Sequence, residues 1–123
     1  MIEKPRPVVL VVEDDIIIGW DICEQLKRAG FDVLELAESG PRAHALLDEG
    51  MPDAAVIDVN LGDHTSASVV NRLNDNLTPF VTLTGYDRSQ LDEIYHRSPI
   101  LTKPVVMDSL LSHLNDATDS LDS

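Results

Sequence analysis

Five runs of aliphatic residues punctuate this chain, and segments with apolar positions three and four residues apart lie between them. Val8-Val9-Leu10-Val11-Val12 has no polar position, the pattern of a strand buried on both faces. Ile18, Ile22, Leu26 and Ala29 then recur at helical spacing, and Gly30 ends that helix. Asp32 to Leu36 reads as a second, weaker strand. Ser39-Gly40-Pro41 opens the next helix, with Ala43, Leu46 and Leu47 inward and Gly50 at its end. Ala54-Ala55-Val56-Ile57 is the third strand. Ser66 to Leu77 is a helix with Val69, Val70, Leu73 and Leu77 on one side, broken by Pro79. Phe80-Val81-Thr82-Leu83 is the fourth strand, and Leu91, Ile94 and Tyr95 mark a short helix. Ile100-Leu101-Thr102 is a brief fifth strand. Met107, Leu110, Leu111 and Leu114 line a last helix, after which Asp116 to Ser123 is polar and expected to fray.

Strands alternating with helices predict an α/β fold: a five-stranded parallel sheet flanked by helices on both faces, with a short or mobile fourth helix. The length of 123 residues suits one domain over 8–117, preceded by an N-terminal extension over 1–7 and followed by a polar tail over 118–123. In such sheets ligands gather beyond the carboxyl ends of the strands. The residues at those exits are Glu13, Asp14 and Asp15 after the first strand, Asp58 after the third, Thr84 after the fourth and Lys103 after the fifth. Asp15 reads as a helix N-cap. The others place carboxylates, a hydroxyl and an ammonium on one rim. Crowded carboxylates raise one another's pKa or recruit a cation. Hard oxygen ligands select Mg²⁺ or Ca²⁺, and Mg²⁺ keeps waters and leaves room for a phosphate.

Charge narrows the partners. Nine Lys and Arg against 22 Asp and Glu give a formal net charge of −13. Such a surface repels nucleic-acid phosphate and anionic lipid, which argues against direct nucleic-acid or membrane binding. No apolar run is long enough to span a bilayer and the first residues lack the apolar core of a signal peptide, so a cytoplasmic location is expected. The lone cysteine, Cys23, leaves no internal disulfide. His44, His64, His96 and His113 show no metal-ligand spacing.

Four motifs stand at these strand ends in order: Val11-Val12-Glu13-Asp14-Asp15, Val56-Ile57-Asp58-Val59-Asn60, Leu83-Thr84-Gly85 and Thr102-Lys103-Pro104. In this order the chain resembles the receiver domains of two-component response regulators, with their flavodoxin/CheY-like (βα)5 fold, from about Val8 to about Leu114. The resemblance implies roles residue by residue. Asp58 is the phosphoacceptor and a metal ligand. Asp14 ligates Mg²⁺ directly and Glu13 through water, while Asn60 supplies a backbone carbonyl. Thr84 is the switch hydroxyl and Gly85 the small residue beside it. Lys103 binds the phosphoryl group, and Pro104 implies a cis Lys103–Pro104 bond. The donor is a phosphohistidine on a sensor histidine kinase or a histidine phosphotransfer protein, and an unidentified downstream protein receives the signal.

The chain departs from that pattern in places. Leu61-Gly62-Asp63 stands where Met-Pro is common, and Ile100 stands where a switch aromatic is usual. Pro79 to Tyr86 is similar to the FATGUY group of stand-alone alphaproteobacterial receivers, whose kinases are often of the HWE type, although Thr82-Leu83 replaces Phe-Ala. Tyr86 is a candidate mobile aromatic or simply a loop side chain. With no output domain after Leu114, the expectation is a single-domain regulator that is not itself an enzyme beyond its own phosphorylation and dephosphorylation. Two rivals stand beside it. A phosphatase of the haloacid dehalogenase kind would need an acid two residues after the nucleophile, where Asn60 stands. A phosphorylation-independent pseudo-receiver would not need the complete Asp58, Thr84 and Lys103 set.

Overall fold

The computed structural model of the chain describes residues 6–62 and 64–119. Most of the expected N-terminal extension, Asp63 and the last four residues of the expected tail lie outside the described residues. The strands and helices run β1 (Val8–Val12), α1 (Ile16–Arg28), β2 (Asp32–Val33), α2 (Gly40–Glu49), β3 (Ala54–Asp58), β4 (Asn60–Leu61), β5 (His64–Thr65), α3 (Ala67–Asp75), β6 (Phe80–Thr84), β7 (Ile100–Thr102) and α4 (Met107–Asp119). Five of the strands form one parallel sheet in the order β2-β1-β3-β6-β7. The strand order reverses between β1 and β3, and the carboxyl ends at such a reversal are where α/β sheets take their ligands.

Alternation along each strand divides the core. Leu10, Val12, Ala55 and Ile57 face one side, packed with α2 and α3 through Ala43, Leu46, Leu47, Val69, Val70 and Leu73. Val9, Val11, Val56, Val81 and Leu83 face the other, packed with α1 and α4 through Ile22, Leu26, Leu110 and Leu114. A strand covered on both faces has no polar position to spare, which is why β1 reads as an unbroken aliphatic run.

Local signals set most helix ends. The Asp15 side chain accepts from the N–H groups of Ile17 and Ile18, the capping role expected of it. Gly30 follows the end of α1 at φ +104, a conformation that costs other residues a Cβ clash. Ser39 caps α2, with Pro41 in its first turn and Gly50 at its end.

The structure corrects the expected pattern in five places. The buried stripe of α1 is Gly19, Ile22, Cys23 and Leu26, so Ile18 and Ala29 point outward. Gly19 lets the helix approach closely enough to touch Leu36, and this turns the stripe. Helix α3 stops at Asp75, and Leu77 lies beyond it at φ 56 and 85% exposed, because the chain must reverse before Pro79. Regular pairing of β2 ends at Val33, although the N–H of Ala37 still reaches the Val11 carbonyl. The final helix runs to Asp119 instead of fraying from Asp116, with Thr118 buried and its hydroxyl donating to the Leu114 carbonyl. The fourth crossover holds two 3-10 turns, Arg88–Gln90 and Glu93–Arg97, in place of a short helix, and Leu91 between them is extended. A small antiparallel hairpin, β4 with β5, was not foreseen. Gly62 turns it at φ 73.

Candidate functional site

Each strand exit delivers the side chain that the sequence placed there. Strand β1 passes into Glu13, whose N–H donates to the Ala37 carbonyl at 3.0 Å, and then into Asp14. Strand β3 ends on Asp58, beside Leu83 of β6. Strand β6 ends on Thr84, beside Thr102 of β7. Its carbonyl accepts from the Lys103 N–H at 2.8 Å, and this tie sets Lys103 on the same rim.

The acidic cluster is compact. Glu13, Asp14 and Asp58 each bring a carboxylate oxygen within 4.8 Å of the others. Glu13 is 1% exposed and Asp58 4%, whereas Asp14 faces solvent. The Lys103 ammonium donates to Asp58 Oδ2 at 2.9 Å and lies 3.4 Å from each Glu13 oxygen. Asp58 Oδ1 accepts from the Asn60 N–H at 3.3 Å. The Lys103–Pro104 peptide is cis.

Burial sets the electrostatics. Glu13 is pushed up to about 7, first by desolvation and then by hydrogen bonding and repulsion from Asp58, with Lys103 opposing. Near neutrality Glu13 therefore carries a proton part of the time, which relieves the crowding that a cation would otherwise relieve. Desolvation pulls Lys103 down, but its bond to Asp58 and the charges of Asp58 and Glu13 outweigh it and leave the ammonium above its usual range. Three hard oxygen donors, one of them open to solvent, form a set that suits Mg²⁺.

The other predicted residues fall around this core. Thr84 is buried, and its hydroxyl accepts from the Tyr86 N–H at 3.0 Å. Gly85 forms a bend in which an added Cβ would meet nothing within 4 Å. Tyr86 is exposed. Ile100 is partly buried against the α2–α3 side of the core. Asn60 begins the β4–β5 hairpin opposite Thr65.

Residues 9–115 match the family model for the response regulator receiver domain. The chain belongs to that family. Receiver domains are phosphorylated by histidine kinases, and they are not enzymes in the ordinary sense. The transcriptional regulatory protein PhoP of Escherichia coli K12 is 30% identical over 112 residues, 86% of this chain and 49% of its own length. The transcriptional regulatory protein PdtaR of Mycobacterium tuberculosis is 27% identical over 86 residues, 69% of this chain and 42% of its own. The chain thus spans about half the length of the curated relatives it matches. Among solved structures, the receiver domain of Francisella response regulator 1452 superposes with a TM-score of 0.82 at 26% identity, covering 94% of this chain and 99% of that one. Among the described residues, no helix of this receiver is long and apolar enough to cross a membrane.

Sequence reasoning missed two buried groups beside the site. Tyr95 was read only as one apolar position of a short helix, and Ser66 only as a helix start. No local pattern marks either, because each is defined by a partner far along the chain.

Proposed function

We propose that this receiver accepts a phosphoryl group on Asp58 from a phosphohistidine, in a Mg²⁺-dependent reaction, and signals through the change that follows. The observation that carries the reading is the Lys103 ammonium set 2.9 Å from Asp58 Oδ2 inside a cluster of three carboxylates. An Asp58 oxygen attacks the phosphorus, a P–O bond forms as the P–N bond breaks, and the electron pair returns to the donor's imidazole. Lys103 already points at that carboxylate and would stay with the equatorial oxygens of the transferred group. Glu13 and Asp14, with Asp58 and the Asn60 carbonyl, would hold Mg²⁺, which supplies charge neutralisation. Thr84 gives up its Tyr86 contact to donate toward the new dianion, and the gain in contacts shifts a two-state equilibrium. Hydrolysis by water resets it.

The donor reaches Asp58 across an apolar rim. Ile16, Ile17, Ile18 and Val106 are exposed there, Ile17 to 78%. A groove lined by Ile17, Ile18, Ile22, Pro104 and Met107 also includes Lys103, so a partner seated in it sits against the site. We assign this face to the histidine kinase, of the HWE type if the FATGUY likeness extends to partners, or to a phosphotransfer protein. The output is a protein contact, in keeping with the net charge of −13. A dehalogenase-type phosphatase finds no support: Asn60 has no acidic proton, and its N–H is on the acceptor.

Incubation with acetyl phosphate or phosphoramidate and Mg²⁺ tests the proposal. Intact mass should rise by one phosphoryl group in the wild type and not in Asp58→Ala. Equal labelling of both proteins ends the assignment. Ile17→Glu should slow transfer from the kinase and leave labelling by the small donors unchanged.

A further inference from the structure

Ser66, Thr82, Tyr95 and Ser98 are all buried, and the phosphoacceptor chemistry uses none of them. Ser66 holds the N-cap position of α3, where a serine hydroxyl ordinarily accepts from the first turn of the helix. Here it makes no capping bond, and its backbone sits at φ −84, ψ 10 instead of extended. Its hydroxyl shares a 2.9 Å hydrogen bond with Tyr95 Oη and lies 3.4 Å from the Val59 carbonyl oxygen. The Ser66 N–H donates to that same carbonyl at 2.9 Å. The Thr65 hydroxyl accepts from the Ala67 N–H at 3.3 Å in its place, which leaves the Ser66 hydroxyl to the tertiary bond.

Tyr95 continues the path. Its side chain is 2% exposed and heads the largest fully buried side chains among the described residues. Its carbonyl accepts from the Ser98 N–H at 3.1 Å and from the Ser98 hydroxyl at 2.6 Å. Ser98 has then used its only hydroxyl proton, so Thr82 is the donor in the 2.7 Å bond between their side chains. Thr82 stands in β6 two residues before Thr84. Polar bonds therefore run from the residue after Asp58, through Ser66, Tyr95 and Ser98, to the strand that carries Thr84. This path is one tether of the connection over 85–99; the Asn74 side-chain amide also donates to the Ile94 carbonyl at 3.2 Å, and Ile94 is partly buried against the core. Besides Tyr95 and Ser98, the connection buries only Leu91.

We infer that the Ser66–Tyr95 hydrogen bond couples the state of Asp58 to the conformation of the β6–β7 connection, with Tyr95 as the positioning residue; the signalling meaning of that coupling rests on the phosphoacceptor reading. Asp58 and Val59 share a peptide unit, and the Val59 carbonyl holds Ser66 through both of its groups. A shift of that carbonyl that keeps its bonds to Ser66 must therefore either break the Ser66–Tyr95 bond or carry Tyr95 with it. The geometry has an electrostatic counterpart. Burial raises the Tyr95 hydroxyl above its ordinary range, hydrogen bonding to Ser66 and more weakly to Thr65 opposes this, and the charges of Asp92 and, least, Asp58 add to the rise. Charge at the acceptor is thus felt at the hydroxyl. A phosphoryl group adds nearly two negative charges at that place.

The test is a double-mutant cycle that needs no phosphorylation. Amide hydrogen exchange over 85–99 is measured by mass spectrometry in the wild type, Asp58→Asn, Tyr95→Phe and the double variant. Asp58→Asn removes a charge beside Val59, and Tyr95→Phe keeps the ring in the core. Asp58→Asn should change exchange of this segment by at least about threefold in the wild type and by much less when Tyr95 is Phe. Equal factors in the two backgrounds overturn the inference, as does a wild-type segment that ignores Asp58→Asn. A purely structural Tyr95 shifts both backgrounds by one common factor. Ser66→Ala in place of Tyr95→Phe must give the same cycle. Acetyl phosphate labelling of the wild type is run in parallel. Failure to label removes the phosphoacceptor reading, while the cycle still decides the coupling.

Discussion

The connection from β3 to β6 and the connection from β6 to β7 cross the same sheet and are built on different principles. The first contains α3, which buries Val69, Val70 and Leu73 as one continuous stripe. The second has two 3-10 turns and buries separate points, Leu91, Tyr95 and Ser98, with Ile94 partly buried against the same core and most of the residues between exposed. Asp87 and Asp92 each start a turn in extended conformation, so the segment restarts where a helix would propagate. A stripe spreads its stabilisation over many contacts. Point anchors concentrate it, and a segment held that way responds to a change at one anchor. The rim of candidate site residues belongs to neither connection, since strand pairing places Asp58, Thr84 and Lys103.

The sharpest test of this contrast is Tyr95→Ala, expected to cost about 4 kcal/mol in chemical denaturation because it empties a large buried volume. Exchange should rise first over 85–99, whereas Leu73→Ala in α3 should loosen the whole core together. A segment no more labile in Tyr95→Ala than in Leu73→Ala would erase the contrast. Lys103→Met should come next. It leaves buried Glu13 and Asp58 without their ammonium and should lower stability by about 3 kcal/mol near neutral pH. The loss should shrink in acid, where Glu13 is protonated.

The third prediction follows from Glu13. In the fold its carboxyl keeps a proton up to about pH 7, while the unfolded chain releases it near 4.5. Between those values the folded state binds more protons. This group's contribution is therefore complete below about 4.5 and lost as pH rises through 7, on the order of 3 kcal/mol. Glu13→Gln should remove that decline from metal-free melting curves, and parallel profiles for the two proteins would contradict it. Mg²⁺ should raise the wild-type melting temperature, by about 1.4 kcal/mol of stability at ten times its Kd, and Asp14→Asn should weaken the response. An unchanged melt in millimolar Mg²⁺ would mean that the rim takes no cation. Gln90→Ala should be smallest, below about 0.5 kcal/mol, since it removes only an exposed bond from the Asp87 N–H.

Much of this architecture was legible beforehand. Aliphatic runs marked the five parallel strands, glycines and caps marked most helix ends, and topology alone gathered Glu13, Asp14, Asp58, Thr84 and Lys103 at one edge. These are local or periodic properties, written in neighbouring residues and in the rule that parallel strands end together. The sequence also carried the low helical content of 85–99, in the spacing of Asp87 and Asp92, but that was read as a shortened helix.

What only the tertiary structure decided is which distant group each polar atom meets and which way each side chain turns. The Ser66 hydroxyl passes over its own helix for a tyrosine 29 residues away, Gly19 rotates α1 by closing on Leu36, and Leu77 leaves the helix to swing into solvent. The physical reason is the same in each case. Periodicity ranks faces by hydrophobicity, whereas hydrogen-bond partners and close approaches depend on distances between segments that exist only after the sheet has brought them together.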